Sequence, residues 1–192
     1  MKTMMKQTRI LSFVAALFAL VGVSSRQAQS ASVPIVVSRS ASEGERLAAQ
    51  DLAAALQRIY PREQFVLDER LPGTVRCILL GNAQSDPEVK SRLGGANLDA
   101  PESFVVTTAS ESTRQLGIIA GADARGTAYG VYALIEKLGC GFFLSYDAWP
   151  VPRTNTFSFE SWNLADRPLV KDRFVFDWHN FLSGCSTWNF ED

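Results

Sequence analysis

Apolar and polar positions along the chain follow two different periods, one typical of strands and one typical of helices. Short apolar runs predict buried strands at residues 34–38, 75–81, 104–108 and 115–120, and the run at 64–67 is compatible with a fifth. Two longer segments repeat apolar residues on one helical face: Ala48, Leu52, Leu56 and Ile59 in the first, and Val131, Leu134, Ile135 and Leu138 in the second.

The order of these elements predicts the fold class. The polar linker at residues 109–114 is short enough for a hairpin, so the sheet should contain an antiparallel pair. Two long helices between the strands favour an α/β (α+β) two-layer sandwich, with a mixed β-sheet and both long helices on one face. The accessory domain predicted in this way covers residues 31–150.

Local signals place the ends of the helices. Ser42 followed by Glu45 has the spacing of a capping box, and Asp123 is the predicted N-cap of the second long helix. Gly139 has the position of the left-handed residue that ends that helix. One or two helical turns are predicted at residues 87–93.

The first thirty residues differ from the rest and predict a secretory signal peptide. Lys2, Lys6 and Arg9 precede a charge-free apolar run at residues 10–23, and small residues follow. We therefore expect an exported protein, periplasmic or extracellular, with no stable membrane span after cleavage. Cleavage after residue 30 leaves 15 basic and 20 acidic residues, which argues against a nucleic-acid partner.

The C-terminal part of the chain changes character after Pro150. Residues 151–167 are predicted as a connector that carries Phe157, Phe159 and Trp162, and residues 173–178 as a strand. A lone strand cannot bury itself, so residues 168–192 either join the preceding sheet or begin a second domain.

The same C-terminal segment holds the candidate carbohydrate-binding residues. They are aromatic or polar side chains at the end of the predicted strand and in the loop after it: Arg173, Trp178, His179, Asn180 and Trp188. Tryptophan offers a flat apolar surface to a sugar ring, while histidine and asparagine match its hydroxyl groups. Core packing of the tryptophans and an ion pair for Arg173 are the structural alternatives.

Other chemistries have weaker support. The turn at residues 121–126 is rich in glycine but lacks the lysine of a phosphate loop, so Gly126 and Gly130 are predicted to bring the helix close to the sheet. Glycoside hydrolysis needs two carboxylates around one bond, and the terminal segment offers no credible pair. The three cysteines match no zinc motif and allow at most one internal disulfide. No catalytic residue, metal or cofactor is predicted.

Residues 125–139, Arg-Gly-Thr-Ala-Tyr-Gly-Val-Tyr-Ala-Leu-Ile-Glu-Lys-Leu-Gly, resemble the last helix of the N-terminal domain of α-glucuronidases. That helix is similar to one in β-N-acetylhexosaminidases. Residues 176–189 resemble the first strand and loop of the catalytic (β/α)-barrel that follows in α-glucuronidase-like enzymes. A Trp-Asp-Asn sequence contributes to the sugar site there, whereas this chain has His179 in the middle position.

The resemblance implies the accessory domain of a secreted glycoside hydrolase that acts in polysaccharide degradation. Its partner would be a carbohydrate, a uronic-acid-containing oligosaccharide or a related glycoside. Residues 168–192 would be the incomplete start of a (β/α)-barrel, whose catalytic carboxylates lie on later strands, so the chain alone should be inactive. The alternative is a complete, non-catalytic secreted module that binds glycan or protein.

Overall fold

A computed structural model of the chain describes residues 32–73, 76–96, 98–143, 146–159 and 162–173. The chain divides into two compact units, residues 1–30 and 31–192, and all described residues belong to the second. The predicted signal peptide lies outside the described residues, as does the predicted strand beyond Arg173 with the incomplete barrel that it would begin.

A six-stranded mixed sheet forms the centre of the described unit. Its order is β2 (Gln64–Asp68), β1 (Ser32–Val37), β3 (Arg76–Asn82), β5 (Arg114–Gly121), β4 (Phe104–Glu111) and β8 (Leu164–Asp166). The first four strands are parallel, and β4 is antiparallel to both of its neighbours. The predicted hairpin is confirmed, but its strands are longer than expected because Glu111 pairs with Arg114 across a two-residue turn.

Both long helices pack on one face of this sheet, which confirms the predicted two-layer arrangement. They are α1 (Glu43–Ile59) and α3 (Ala124–Lys137), and they also contact each other. The stripes predicted from the sequence are buried, with Leu52, Leu56 and Leu134 fully enclosed. Burial of each such side chain contributes about 1.5–3 kcal/mol to folding.

The opposite face of the sheet has a smaller cover. The short helix α2 (Pro87–Arg92) lies over it, and Val89 from that helix is fully buried with Cys77, Leu79 and Ile118 from the strands. The predicted helical turns at this position are therefore confirmed. The small hairpin of β6 (Gly141–Phe142) and β7 (Asp147–Ala148) forms a separate two-stranded sheet after α3.

The helix ends form as their local sequences predict. Ser42 and Glu45 make a complete capping box at the start of α1, and Asp123 caps α3 through the Gly126 amide at 2.9 Å. Gly139 follows α3 with φ +110°, a backbone conformation that residues with a side chain rarely adopt. The buried Glu45 also accepts a hydrogen bond from Asn82 at 2.8 Å, so the cap is tied to the end of β3.

Aromatic residues of the predicted connector complete the core on the helix-covered face. Phe157, Phe159 and Trp162 are buried and pack edge-to-face on one another, and Phe157 also contacts Tyr60 and Phe65. Two residues after Trp162 the chain enters β8, which pairs with β4 at the edge of the sheet. The connector therefore packs against the domain that precedes it, whereas the domain boundaries themselves stay a prediction.

Polar contacts fix the backbone of this connector. The buried Glu63 carboxylate accepts a hydrogen bond from the Phe157 amide at 3.0 Å, and Arg76 donates to the Phe157 carbonyl. Arg153 reaches the ends of both long helices: its amide donates to the Ile59 carbonyl at 2.6 Å and its guanidinium to the Leu138 carbonyl at 3.0 Å. The backbone amide and the guanidinium of this one residue therefore satisfy carbonyl groups that lack helical partners at the two helix C-termini.

Gly117 on β5 makes room for the connector, which gives a direct test of its packing. A Cβ atom there would lie 2.4 Å from Trp162 and 2.6 Å from Phe159. We expect Gly117→Ala to lower the free energy of unfolding by about 1–3 kcal/mol in urea titrations, as overpacking does. Gly44→Ala is the control, because open space surrounds that position in α1 and alanine favours a helix. Equal stability of Gly117→Ala and the parent chain would contradict the packing.

Tyr132 on α3 donates a hydrogen bond to Asp51 on α1 at 2.6 Å and so bridges the two long helices. This bond, together with burial, raises the pKa of Tyr132 to about 12. Because the ordinary value is about 10, this group stabilises the fold fully below pH 10, and its contribution is lost as the pH rises toward 12.

Spectrophotometric titration should therefore show one tyrosine with a midpoint near pH 12. Asp51→Asn should move that midpoint toward 10, because the anionic acceptor is gone. A midpoint that does not respond to Asp51→Asn would show that the bridge is absent in solution.

Candidate functional site

Of the five candidate carbohydrate-binding residues, Arg173 lies within the described part of the chain. Trp178, His179, Asn180 and Trp188 lie outside the described residues, so their grouping around a sugar stays a prediction.

Arg173 contacts two residues at the surface of the domain, Glu102 and Tyr129. Its guanidinium forms an ion pair with Glu102, lies 3.4 Å from the Tyr129 hydroxyl oxygen, and stacks over the Tyr129 ring at 5.8 Å from the centroid. It also donates to the Val170 carbonyl at 2.6 Å. These contacts hold the segment after β8 against the N-terminal part of α3. They include the ion pair expected from the sequence as the structural alternative for Arg173. Its assignment to a sugar site stays a prediction.

Glu102 is the centre of this arrangement, and its backbone is strained. It has φ +60° in the left-handed region, an uncommon conformation for a residue with a long side chain. Asp123 stabilises that conformation, because one carboxylate oxygen accepts from the Glu102 amide at 2.9 Å while the other caps α3. The Glu102 carboxylate is thus aimed at Arg125, 3.1 Å away, and at Arg173.

The glycines of α3 bring the helix close to this turn and confirm their predicted packing role. A Cβ on Gly126 would lie 2.3 Å from the Ser103 carbonyl oxygen, and one on Gly130 would lie 3.1 Å from Ile119. The Asp123 carboxylate already accepts from the Gly126 amide at the helix start. The glycine turn therefore serves helix–sheet contact, in agreement with the rejection of a phosphate loop.

A cleft of about 310 Å³ lies beside this network. It is lined by Glu102, Phe104, Tyr129, Asp166, Arg167, Pro168 and Arg173. Sequence reasoning found Arg173 but missed Glu102 and Tyr129. Tyr129 could have been found from its position four residues after Arg125, on one helix face. Glu102 left no such signal, because its partners are 23 and 71 residues away in the chain.

The charges of the cleft suit binding and positioning better than proton transfer. Hydrogen bonds from Arg125 and Arg173 hold the pKa of Glu102 below its ordinary value, so this carboxylate stays ionised at neutral pH. A general acid needs a pKa near the working pH. Glu102 is therefore a poor proton donor, and its role in the cleft is to orient two guanidinium groups.

The remaining chemistry of the described residues is limited. No group of three or more histidine, cysteine, aspartate or glutamate residues in this part of the chain could hold a metal ion. Within the same residues, no helix is long and apolar enough to cross a membrane. Cys77 and Cys140 are buried free thiols, and burial raises the pKa of each. Cys185 lies outside the described residues.

Comparison with known proteins gives distant structural likenesses. No protein-family model and no curated protein matches the chain. Among solved structures it is similar to a family GH115 4-O-methyl-α-glucuronidase, BtGH115A, with specificity for decorated arabinogalactans. The identity is 22%, the coverage is 57% of this chain and 14% of the other, and the TM-score is 0.47.

It is also similar to CpGH84D, at 11% identity and a TM-score of 0.43, over 56% of this chain and 17% of the other. This chain thus spans less than a fifth of the length of either neighbour. Both TM-scores lie below 0.5, so neither likeness assigns a function to this chain.

The Glu102 network should make the attachment of Arg173 to the domain dependent on pH. Because the pKa of Glu102 is lowered in the folded chain, its contribution is present above the ordinary value of 4.5 and is lost as the pH falls through the lowered value. A carbon-13 NMR titration should give a Glu102 midpoint below 4.5, and Arg125→Gln or Arg173→Gln should raise it. Arg167→Gln is the control, since Arg167 lines the cleft without bonding to Glu102. An unchanged midpoint in the Arg125→Gln, Arg173→Gln double variant would contradict the network.

Proposed function

We propose that this chain is the accessory domain of an exported, α-glucuronidase-like glycoside hydrolase that acts in polysaccharide degradation. In this proposal the catalytic carboxylates belong to a barrel that would follow the described residues. The signal-peptide pattern at residues 1–30 supports export. The carbohydrate partner is a uronic-acid-containing oligosaccharide or a related glycoside.

The observation that carries the proposal is the place of helix α3 in the fold. Its sequence resembles the last helix of the α-glucuronidase N-terminal domain, and in the structure it closes the helical layer of a mixed sheet. Gly126 and Gly130 in that sequence are required for close packing on Ser103 and Ile119. The residues that carry the resemblance are therefore those on which the helix–sheet contact depends.

The path of the chain after α3 adds support. Arg153 and Phe157 bind the connector to both helix ends and to the core, and β8 continues it along the edge of the sheet. Arg173 then fixes the chain beside the start of α3. An accessory domain that precedes a barrel needs such a defined exit, so that the next strand begins from a fixed point.

The described cleft does not itself resemble a hydrolytic site. Glycosidases place two carboxyl groups on either side of the bond, one of them with a raised pKa. Glu102 has a lowered pKa and is neutralised by two arginines. The accessory role therefore fits this domain better than catalysis within it.

The reading frame after codon 192 in the source genome tests the proposal most simply. We expect it to encode a (β/α)-barrel with two acidic residues at strand ends, in the same frame or after a frame change. Genomic sequence that encodes no barrel in any forward frame would overturn the proposal.

The 192-residue chain assayed by itself should not hydrolyse 4-nitrophenyl glycosides of glucuronic acid, galacturonic acid or N-acetylglucosamine, since neither the cleft beside Glu102 nor the terminal segment at residues 168–192 offers a credible pair of carboxylates. Release of 4-nitrophenol at 400 nm is the measurement, and Glu102→Gln is the control for trace activity from the described cleft. Turnover by the parent chain that the Glu102→Gln variant loses would show catalysis within this domain.

The second candidate is a complete glycan- or protein-binding module whose tail packs on the domain. The contact of Arg173 with Glu102 favours this candidate, because the chain still contacts the surface of the domain at residue 173. Limited proteolysis with chymotrypsin separates the two, because residues 174–192 contain phenylalanine and tryptophan but no lysine or arginine. Early cleavage after residue 173 supports the accessory domain, and protection through residue 192 supports the complete module.

A further inference from the structure

A second cleft, of about 300 Å³, lies between the two long helices and the β6–β7 hairpin. It shares no lining residue with the cleft beside Arg173. Its walls combine aromatic rings with carboxylates: Asp51, Tyr132, Phe142, Asp147 and Trp149. This volume is at the lower end of the range of about 300–1,000 Å³ found for small-molecule pockets. The walls of such pockets are mostly apolar, with a few polar groups that orient the ligand.

The aromatic rings of the cleft are held in fixed positions. Phe142 packs edge-on to Tyr132, with ring centroids 5.8 Å apart and planes at 90°, and 40% of Phe142 is still exposed. The Arg58 guanidinium lies over the Trp149 ring, 4.3 Å from its centroid. Rings held in this way offer apolar surface at little cost in side-chain entropy.

The carboxylates of the cleft have acceptor capacity to spare. Within the described residues, Tyr132 is the one side chain that donates to Asp51, through a single oxygen at 2.6 Å. The Asp147 carboxylate accepts no hydrogen bond from the described part of the chain, and its residue is exposed. An ionised carboxylate can accept about four hydrogen bonds, so both can receive hydroxyl groups from a ligand.

We propose that this cleft binds a neutral sugar ring of an oligosaccharide, with the exposed Phe142 ring against its C–H face and Asp51 and Asp147 accepting its hydroxyl groups. A pyranose has that combination of an apolar face and equatorial donors. Asp51 and Asp147 outnumber the guanidinium of Arg58, which lies over Trp149 beside the cleft, so the negatively charged group of a uronate or a sulfated sugar is disfavoured there. The site would make the domain itself a carbohydrate binder, and it stands whether the chain precedes a barrel or acts as a complete module.

Binding to the 192-residue chain is tested by saturation-transfer-difference NMR and calorimetry. The neutral probes are methyl β-D-glucopyranoside, cellobiose and xylobiose, and the acidic probe is glucuronate. We expect saturable binding of at least one neutral probe and about tenfold weaker binding of glucuronate. Absence of binding by all three neutral probes, or glucuronate binding as tight as theirs, would overturn the proposal.

Variants locate the bound sugar. Asp51→Asn and Phe142→Ala should each weaken binding about tenfold, since each removes a charged acceptor or a ring wall. The matched controls are Glu43→Gln, an exposed acid on the same helix, and Phe143→Ala, whose ring stacks on Tyr146 outside the cleft lining. Asp147→Asn is the fallback if Phe142→Ala lowers the thermal midpoint, because Asp147 is exposed. Binding that survives Asp51→Asn and Asp147→Asn unchanged would place the sugar elsewhere and contradict the assignment.

Discussion

The structure depends on burying the helix-covered face of the mixed sheet, and two helices are not enough to bury it. α1 and α3 cover most of the face, but beyond their C-terminal ends the strands would meet water. Phe157, Phe159 and Trp162 fill that space. The requirement explains why Gly117 has no side chain, since two of these rings occupy its place. It also explains why Glu63 and Arg76 bind the backbone of Phe157.

The same constraint determines where the chain goes next. Once the aromatic residues are anchored, the following residues run along β4 as an edge strand and reach the turn at Glu102. Arg173 meets a carboxylate whose position is set by Asp123, the cap of α3. A chain that leaves the domain at this point leaves it in a defined place, which is what an accessory domain beside a catalytic barrel requires.

Sequence alone predicts the parts of this structure that depend on neighbouring residues. The capping box of Ser42 and Glu45, the cap at Asp123 and the apolar stripes of both helices involve residues within one or two turns, and all are confirmed. The hairpin was predicted too short, because the ion pair of Glu111 with Arg114 extends the strands into a polar segment.

Contacts between distant residues could not be predicted in the same way. Glu63 and Phe157 are 94 residues apart, and Asp51 and Tyr132 are 81 apart, so no local pattern marks either pair. The cleft between the helices is invisible in the sequence for this reason. Of the predicted carbohydrate-binding residues, only Arg173 falls in the described part of the chain, and its partners Glu102 and Tyr129 emerge from the fold.

The most direct measurement compares two shortened chains, one ending at Pro150 and one ending at Arg173, by equilibrium unfolding in urea. Loss of two phenylalanines and a tryptophan from a core costs about 3–5 kcal/mol for each ring, which is comparable to the whole stability of a domain. The account predicts a cooperative transition for the chain ending at Arg173 and none for the chain ending at Pro150. Equal midpoints for the two chains would contradict it.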